Sequence, residues 1–364
     1  EASSASYTIT QHAARGVITD ANGVVLARDT TVYDLYLRIP APPGTDLRET
    51  VKNIETLTGS KDVETQLAAF CSAASAGELA VARGADADML TAFYTAGLVQ
   101  SGAVRPAARG VRSWPGGMLL PHALGLTGPI TAAQWPAAKA RGLAMDAVIG
   151  QSGLEAAYDD LLRGQDGRVL INTGFDGAVR RTAQLRQAVP GAALVLTVDS
   201  SLQKALQDAL ISQIHTLQTT KAAGGGRECR AGAAVVVDVK TGGILAAASV
   251  PGFDLNACRA DYAALAADAA APLLDRTAQG LYAPGSAFKP AVAAAALTAG
   301  INPAATVNCT GRYGFYSGYQ PGCLQYGHSG LVDLRTALEH SCNIFFYDVG
   351  RRLGVDTFSA MAQQ

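Results

Sequence analysis

Apolar positions change their spacing several times along the chain, and each change marks an element. Residues 17–27 carry two β-rich runs on either side of Asn22-Gly23. Asn-Gly between such runs is a strong hairpin signal, because both residues accept the positive φ a tight turn needs. Between residues 45 and 97 apolar residues recur three and four apart, with Asp, Glu and Arg between them, which predicts helices. Residues 114–130, rich in Gly and Pro, predict loops and short strands. Residues 152–164 predict a short amphipathic helix closed by Gly164.

The pattern changes again near residue 191. Residues 193–198 predict a strand, after which Asp199 or Ser200 caps a helix reaching about residue 217. That helix would set Leu202, Leu206, Leu210 and Ile214 on one face. A glycine-rich loop is predicted at 221–228. Residues 233–239 and 244–249 predict a second hairpin around Lys240-Thr241-Gly242-Gly243. Both arms are almost wholly apolar, which predicts strands in the middle of a covered sheet. Residues 286–297 predict an alanine-rich helix, nearly without polar residues after Lys289 and therefore buried all round. Pro290 fits its first turn, and Gly300 and Pro303 end it. Residues 331–339 and 344–353 predict two more helices.

Composition narrows the classes. A length of 364 residues suits about two domains. A chain that is 49% hydrophobic and 16% charged is globular rather than disordered. A net charge of −1 gives no reason to expect nucleic acid. The best candidate for a membrane span, residues 290–301, falls short of the ~20 residues a bilayer requires. No leader is visible, yet the chain starts at Glu1 without Met, so a leader or anchor outside it is expected. The six cysteines form no Cys-x-x-Cys, and the five histidines show no paired spacing, so no metal ligand and no cofactor is predicted. Cys309 and Cys323 either bridge or remain thiols; the sequence leaves both open.

Candidate chemistry lies at Tyr282-Ala283-Pro284-Gly285-Ser286-Ala287-Phe288-Lys289. Side chains three apart on a helix share a face. A serine becomes nucleophilic when a neighbouring base takes its proton, and a lysine can be that base when burial disfavours its charge. The Pro-Gly before Ser286 puts it at a helix start, where the dipole favours developing negative charge. Downstream, Ser341-Cys342-Asn343 lies in the break between two predicted helices and offers a hydroxyl and an amide. Ser286, Lys289, Ser341 and Asn343 are therefore the predicted catalytic residues. Lys240-Thr241-Gly242 precedes them and sits in a tight turn, so it reads as turn chemistry.

The two segments resemble signatures of penicillin-binding proteins and serine β-lactamases. Other stretches extend the likeness nearly end to end, and the chain resembles a class B penicillin-binding protein, a monofunctional cell-wall transpeptidase. Ala14-Arg15-Gly16, Arg112-Ser113-Trp114-Pro115 with His122-Ala123-Leu124-Gly125, and Gly153-Leu154-Glu155 with Tyr158-Asp159 resemble the N-terminal half of that family. Leu196-Thr197-Val198-Asp199 resembles the entry to its transpeptidase domain, and residues 237–246 its first hairpin. Cys309, Cys323 and Gly327-His328 lie where the family has a Cys-rich loop ending in Gly-His-Gly; in this chain Ser329 replaces the last glycine. Asp275-Arg276-Thr277 stands for the family's usual Asn-Arg-Ala.

The resemblance implies an α+β fold: a pedestal domain of strands and helices over 1–190, then a partial transpeptidase domain over 191–364, an antiparallel sheet with helices on both faces. It implies cross-linking of D-Ala-D-Ala stem peptides through an acyl-enzyme on Ser286, with β-lactams as covalent inhibitors. It also implies a place on the extracytoplasmic face of the membrane beside a membrane-embedded cell-wall synthesis partner. The family's later Lys-Thr-Gly does not follow Ser341, so a chain truncated before that motif, and incomplete as an enzyme, is expected. The alternatives are a β-lactamase-like serine hydrolase and a non-catalytic β-lactam-binding scaffold. The long N-terminal half speaks against the first, the intact Ser286 and Lys289 against the second.

Overall fold

In the computed structural model of the chain, which describes every residue except 1–4, 75, 174–178, 221–225, 325–326 and 364, the Asn22-Gly23 hairpin opens a much larger sheet than its signal required. Gly23 has φ +82°, as such a turn demands. The first arm is short, Ile18–Thr19, and the second runs from Val25 to Ile39. That long strand pairs antiparallel with Val104–Ser113 and with Gly77–Ala85, and Leu194–Val195 joins Ile18–Thr19 in parallel. A second sheet sets Gly167–Thr173 between Ala5–Gln11 and Val179–Arg186.

The helical stretch predicted at 45–97 holds three helices, Leu47–Thr58, Val63–Ala73 and Ala87–Thr95, and also the strand Gly77–Ala85. The strand is a correction to the sequence expectation. Its backbone groups find partners on the long strand 39 to 33, and sheet pairing outweighs weak local preference. Asp46 and Asp86 cap the first and third helices through side-chain bonds to backbone N–H groups. Leu35, Leu37, Ile54, Phe93 and Val104 fill the core between helices and sheet.

The chain divides into two compact units, Glu1–Gly280 and Leu281–Gln364. In the first, Glu155 is fully buried and takes Arg15 Nε at 2.5 Å and Arg112 Nε at 2.7 Å. Arg15 also donates to Asp159 at 2.8 Å and to the Glu155 carbonyl. Motif residues far apart in sequence thus form one buried ion cluster. Beside it the backbone at Gly16 passes so close to Ala192 that a Cβ would lie 1.9 Å from the Ala192 carbonyl oxygen. Only glycine fits there.

Still in the first unit, Asp199 caps the helix Ser200–Thr219, accepting from Ser201 and Leu202 N–H. The face it buries differs from the expected leucine stripe. Gln203 is buried and Leu202 is 37% exposed, because Gln203 bonds both the N–H and the carbonyl of Ala247 on the strand Ile244–Val250. That strand pairs with Gly232–Val237 in a two-stranded sheet, which leaves Val235, Val237 and Ile244 exposed; a sheet covered on both faces was expected. Lys240-Thr241-Gly242 forms the connecting turn, held by Asp238. The loop expected at 221–228 has residues 221–225 outside the described residues.

The second unit packs the helix Lys289–Thr298 with Asn343–Leu353 and Val355–Ala362, beside a small ladder of Val307–Cys309 and Gly330–Val332. Its core joins Val292, Ala293, Ala296, Val332, Ile344, Phe345 and Phe346. The alanine-rich helix is not buried all round: Val292, Ala293, Ala295 and Ala296 face the core, while Ala294 and Leu297 are exposed. The predicted helix at 331–339 is a strand end followed by Leu334–Glu339, capped by Asp333.

Candidate active site

Ser286 lies in a short 3-10 turn, Gly285–Phe288, that runs straight into the helix beginning at Lys289. Gly285 has φ +56°, which turns the chain into it. Ser286 and Lys289 stand three positions apart, so both side chains lie on one side of the turn. Ser341 and Cys342 occupy the break between Leu334–Glu339 and Asn343–Leu353, and Asn343 is the first residue of the second helix.

These four side chains converge. Lys289 Nζ donates to Asn343 Oδ1 at 2.6 Å, to Ser341 Oγ at 2.9 Å and to the Ser341 carbonyl oxygen at 2.6 Å. The Ser341 hydroxyl in turn bonds Ser286 Oγ at 2.9 Å. No hydrogen bond joins Ser286 to Lys289 directly among the described residues; the Ser341 hydroxyl stands between them. Ser341 has φ +52°, a left-handed backbone that a non-glycine residue holds at a cost of about 1–2 kcal/mol. Its carbonyl is received by the lysine.

Lys289 is half-buried, less enclosed than an all-buried helix would have made it. Burial still lowers its pKa, while thiolates at Cys323 or Cys342 would raise it. No carboxylate pairs with it among the described residues. The ring of Phe346 lies 5.6 Å from Nζ and completes its surroundings.

Asn343 is held from a direction the sequence did not signal. Its Nδ2 donates to the Gly322 carbonyl at 3.1 Å and its backbone N–H to Cys323 Sγ at 3.4 Å. Cys323 belongs to a cluster. The ligand atoms of Cys309, Cys323, His328 and Cys342 all lie within 4.8 Å of one another. No metal role was predicted for them, because none forms a Cys-x-x-Cys; the fold brings Cys309, Cys323 and His328 together with Cys342 of the Ser341–Asn343 segment. Three thiols and one imidazole are the donor set of a closed structural zinc site. Tetrahedral donors at zinc–sulfur distances of about 2.3 Å stand about 3.8 Å apart, which this cluster accommodates. Burial pushes the Cys342 thiol up to about 12, so it keeps its proton until a cation displaces it.

Two family models match the chain: the penicillin-binding protein dimerisation domain over residues 10–196 and the penicillin-binding protein transpeptidase domain over residues 232–364. The peptidoglycan D,D-transpeptidase MrdA of Salmonella typhimurium is 28% identical over 368 residues, covering 96% of this chain and 55% of that protein. The MrdA of Escherichia coli K12 is 29% identical over 381 residues, covering 95% of this chain and 53% of that one. The chain thus spans about half the length of these curated relatives. Among solved structures, a penicillin-binding protein (PBP2) from Helicobacter pylori, in complex with MreC, superposes with a TM-score of 0.75 at 21% identity, covering 99% of this chain and 65% of that one. At that identity the likeness speaks to the fold alone. A chain from a peptidoglycan synthase complex superposes with a TM-score of 0.73 at 28% identity, covering 99% of this chain and 60% of that one.

Proposed function

The chain belongs to the penicillin-binding protein family, and on that premise we propose that it serves as a peptidoglycan D,D-transpeptidase working through an acyl-enzyme on Ser286. The hydrogen-bonded line Ser286–Ser341–Lys289–Asn343 is the observation that carries this reading. Ser286 attacks the carbonyl of a D-Ala-D-Ala stem peptide. Its proton passes through the Ser341 hydroxyl to Lys289, which burial keeps ready to be neutral. Ser341 then returns a proton to the leaving amine, and Asn343, fixed by Gly322 and Cys323, holds the substrate amide. An amine of a second stem peptide resolves the ester and leaves a cross-link. β-Lactams enter as mimics of the same carbonyl.

Residues 1–190 serve in this reading as a pedestal, which the dimerisation-domain match supports, with 191–364 contributing to the transpeptidase domain. The protein works at the extracytoplasmic face of the membrane beside a membrane-embedded synthesis partner; the likeness to a chain of a peptidoglycan synthase complex supports that setting. No helix of the described residues is long and apolar enough to cross a membrane. Zinc held by Cys309, Cys323, His328 and Cys342 would be structural, a cross-link among the segments that carry these residues.

The test is labelling with a tagged penicillin followed by peptide mass mapping. The label should fall on Ser286 and vanish in Ser286→Ala. A label on another residue, or full labelling of the alanine variant, overturns the reading.

A further inference from the structure

We propose that Tyr313 and Asp348 are positioning residues for the acyl transfer: their buried hydrogen bond fixes the Gly322 carbonyl, and through it the end of the Asn343 amide that faces Lys289. The proposal rests on the acyl-transfer reading for the reaction it serves, and on the geometry of the second unit for the placement itself.

Residues 311–323 leave the strand Val307–Cys309 and return on themselves. Tyr313 N–H donates to the Pro321 carbonyl at 3.0 Å, Cys323 N–H donates to the Gly311 carbonyl at 2.9 Å, and Arg312 pairs with Gly322 between them. Gly322 therefore moves only with the arm 311–313. That arm is tied to the helix Asn343–Leu353. The buried Tyr313 donates its hydroxyl to Asp348 Oδ1, also buried, at 3.0 Å. The phenol oxygen in turn accepts from Arg351 Nε at 2.9 Å. Arg351 Nη2 reaches Asp348 Oδ1 at 3.2 Å, and Arg352 pairs with the other carboxylate oxygen. Burial raises the Tyr313 pKa, so the phenol keeps its proton and goes on donating. Arg351 also lies over the ring of Phe315, 4.0 Å from its centre, and so holds the loop a second time.

One helix carries both attachments. Asn343 is its first residue, and Asp348 stands five residues on, about 7.5 Å along the axis. At the near point the Gly322 carbonyl accepts from Asn343 Nδ2 at 3.1 Å. A loop held at one point pivots; held at two it does not. The two ends of the Asn343 amide differ in what they face: Oδ1 receives Lys289 at 2.6 Å and Nδ2 gives to Gly322. With the Gly322 carbonyl displaced, the amide is free to turn over and set its NH2 against the lysine, donor against donor. Tyr313 and Asp348 act on the reaction through that choice, without touching substrate.

The experiment uses the 364-residue chain purified without chelator and labelled with heavy nitrogen at asparagine. The side-chain amide resonance of Asn343 is identified by its loss in Asn343→Ser. Tyr313→Phe keeps the ring and removes only the hydroxyl. It should shift that resonance and slow penicillin acylation of Ser286 by about 5–10-fold, the usual worth of one hydrogen bond. Asp348→Ala should do the same. Asp348→Asn, which still offers an acceptor to the phenol, should restore the parent resonance and most of the rate. Val332→Ala, which loosens the same core away from the network, should leave the resonance in place. An unmoved resonance in Tyr313→Phe overturns the proposal, and so does a moved resonance at the parent's acylation rate. The same shift in Val332→Ala, or no rescue by Asp348→Asn, overturns it too. The resonance does not depend on Ser286. A parent chain that never takes a penicillin label would therefore count against the acyl-transfer reading alone, while the amide still decides the placement.

Discussion

Lys289 Nζ sits 2.6 Å from the carbonyl oxygen of Ser341, a residue whose φ of +52° is the left-handed conformation that side chains resist. The lysine and the strained peptide hold each other. This separates two roles of Ser341 that a single substitution would blur. Ser341→Ala keeps the strain and removes the hydroxyl; Ser341→Gly removes both. Both should slow penicillin acylation of Ser286 by about 10²-fold or more, the usual worth of a positioned proton carrier. In thermal unfolding the glycine variant should be the more stable of the two, by up to about 1 kcal/mol. Equal acylation in Ser341→Ala and the parent would remove the hydroxyl from the proton path.

Acylation should rise with pH and level off below the usual lysine range, because burial lowers the Lys289 pKa and the neutral amine is the active form. Lys289→Arg keeps the positive charge but cannot give up its proton. It should lose about 10²–10⁴ in acylation rate at neutral pH and lose the alkaline rise as well. Rates of labelled-penicillin attachment across pH give both quantities.

Glu155 is buried between Arg15 and Arg112, so its removal leaves two desolvated guanidinium groups short of a partner. Glu155→Ala should cost about 3–5 kcal/mol in urea unfolding. Asp208→Ala breaks the exposed pair with Lys204 and should change stability by less than about 0.5 kcal/mol. Comparable losses in the two variants would mean that burial does not decide what these ion pairs are worth.

The chain should co-purify with zinc, read by atomic emission. Chelation should lower its melting temperature, and zinc returned to the stripped protein should restore it. Cys342→Ser should reduce zinc content. Equal metal content in that variant and the parent would exclude Cys342 as a ligand.

The legible parts of this chain are those written locally. Asn22-Gly23, the Asp199 cap and the turn at 240–243 each depend on a few neighbouring residues, and each forms as read. Ser286, Lys289, Ser341 and Asn343 converge as well, since two short segments define them. What escaped is non-local. The strand Gly77–Ala85 exists because residues 33–39 offer it a ladder, not because its own sequence insists. Gln203 takes a core position from Leu202 because one amide can satisfy both backbone groups of Ala247. The thiol–imidazole cluster draws on positions 309, 323, 328 and 342, none of them in a Cys-x-x-Cys. One signal was on view: a cysteine inside the Ser341–Asn343 segment, where a buried thiol invites the question of what surrounds it.

The three acceptors around Lys289 have a consequence that electron counting makes plain. Charged, the amine has three N–H bonds for the Ser341 carbonyl, Asn343 Oδ1 and Ser341 Oγ. Neutral, it keeps two, and two of its neighbours are oxygens with no hydrogen to offer in return. Those oxygens claim both N–H bonds, which aims the lone pair at the remaining neighbour, the Ser341 hydroxyl. That hydroxyl has one hydrogen, so donating it to nitrogen leaves its oxygen to receive from Ser286. The direction of the whole line therefore reverses with the charge of one amine, and a proton bound for Lys289 has a single doorway.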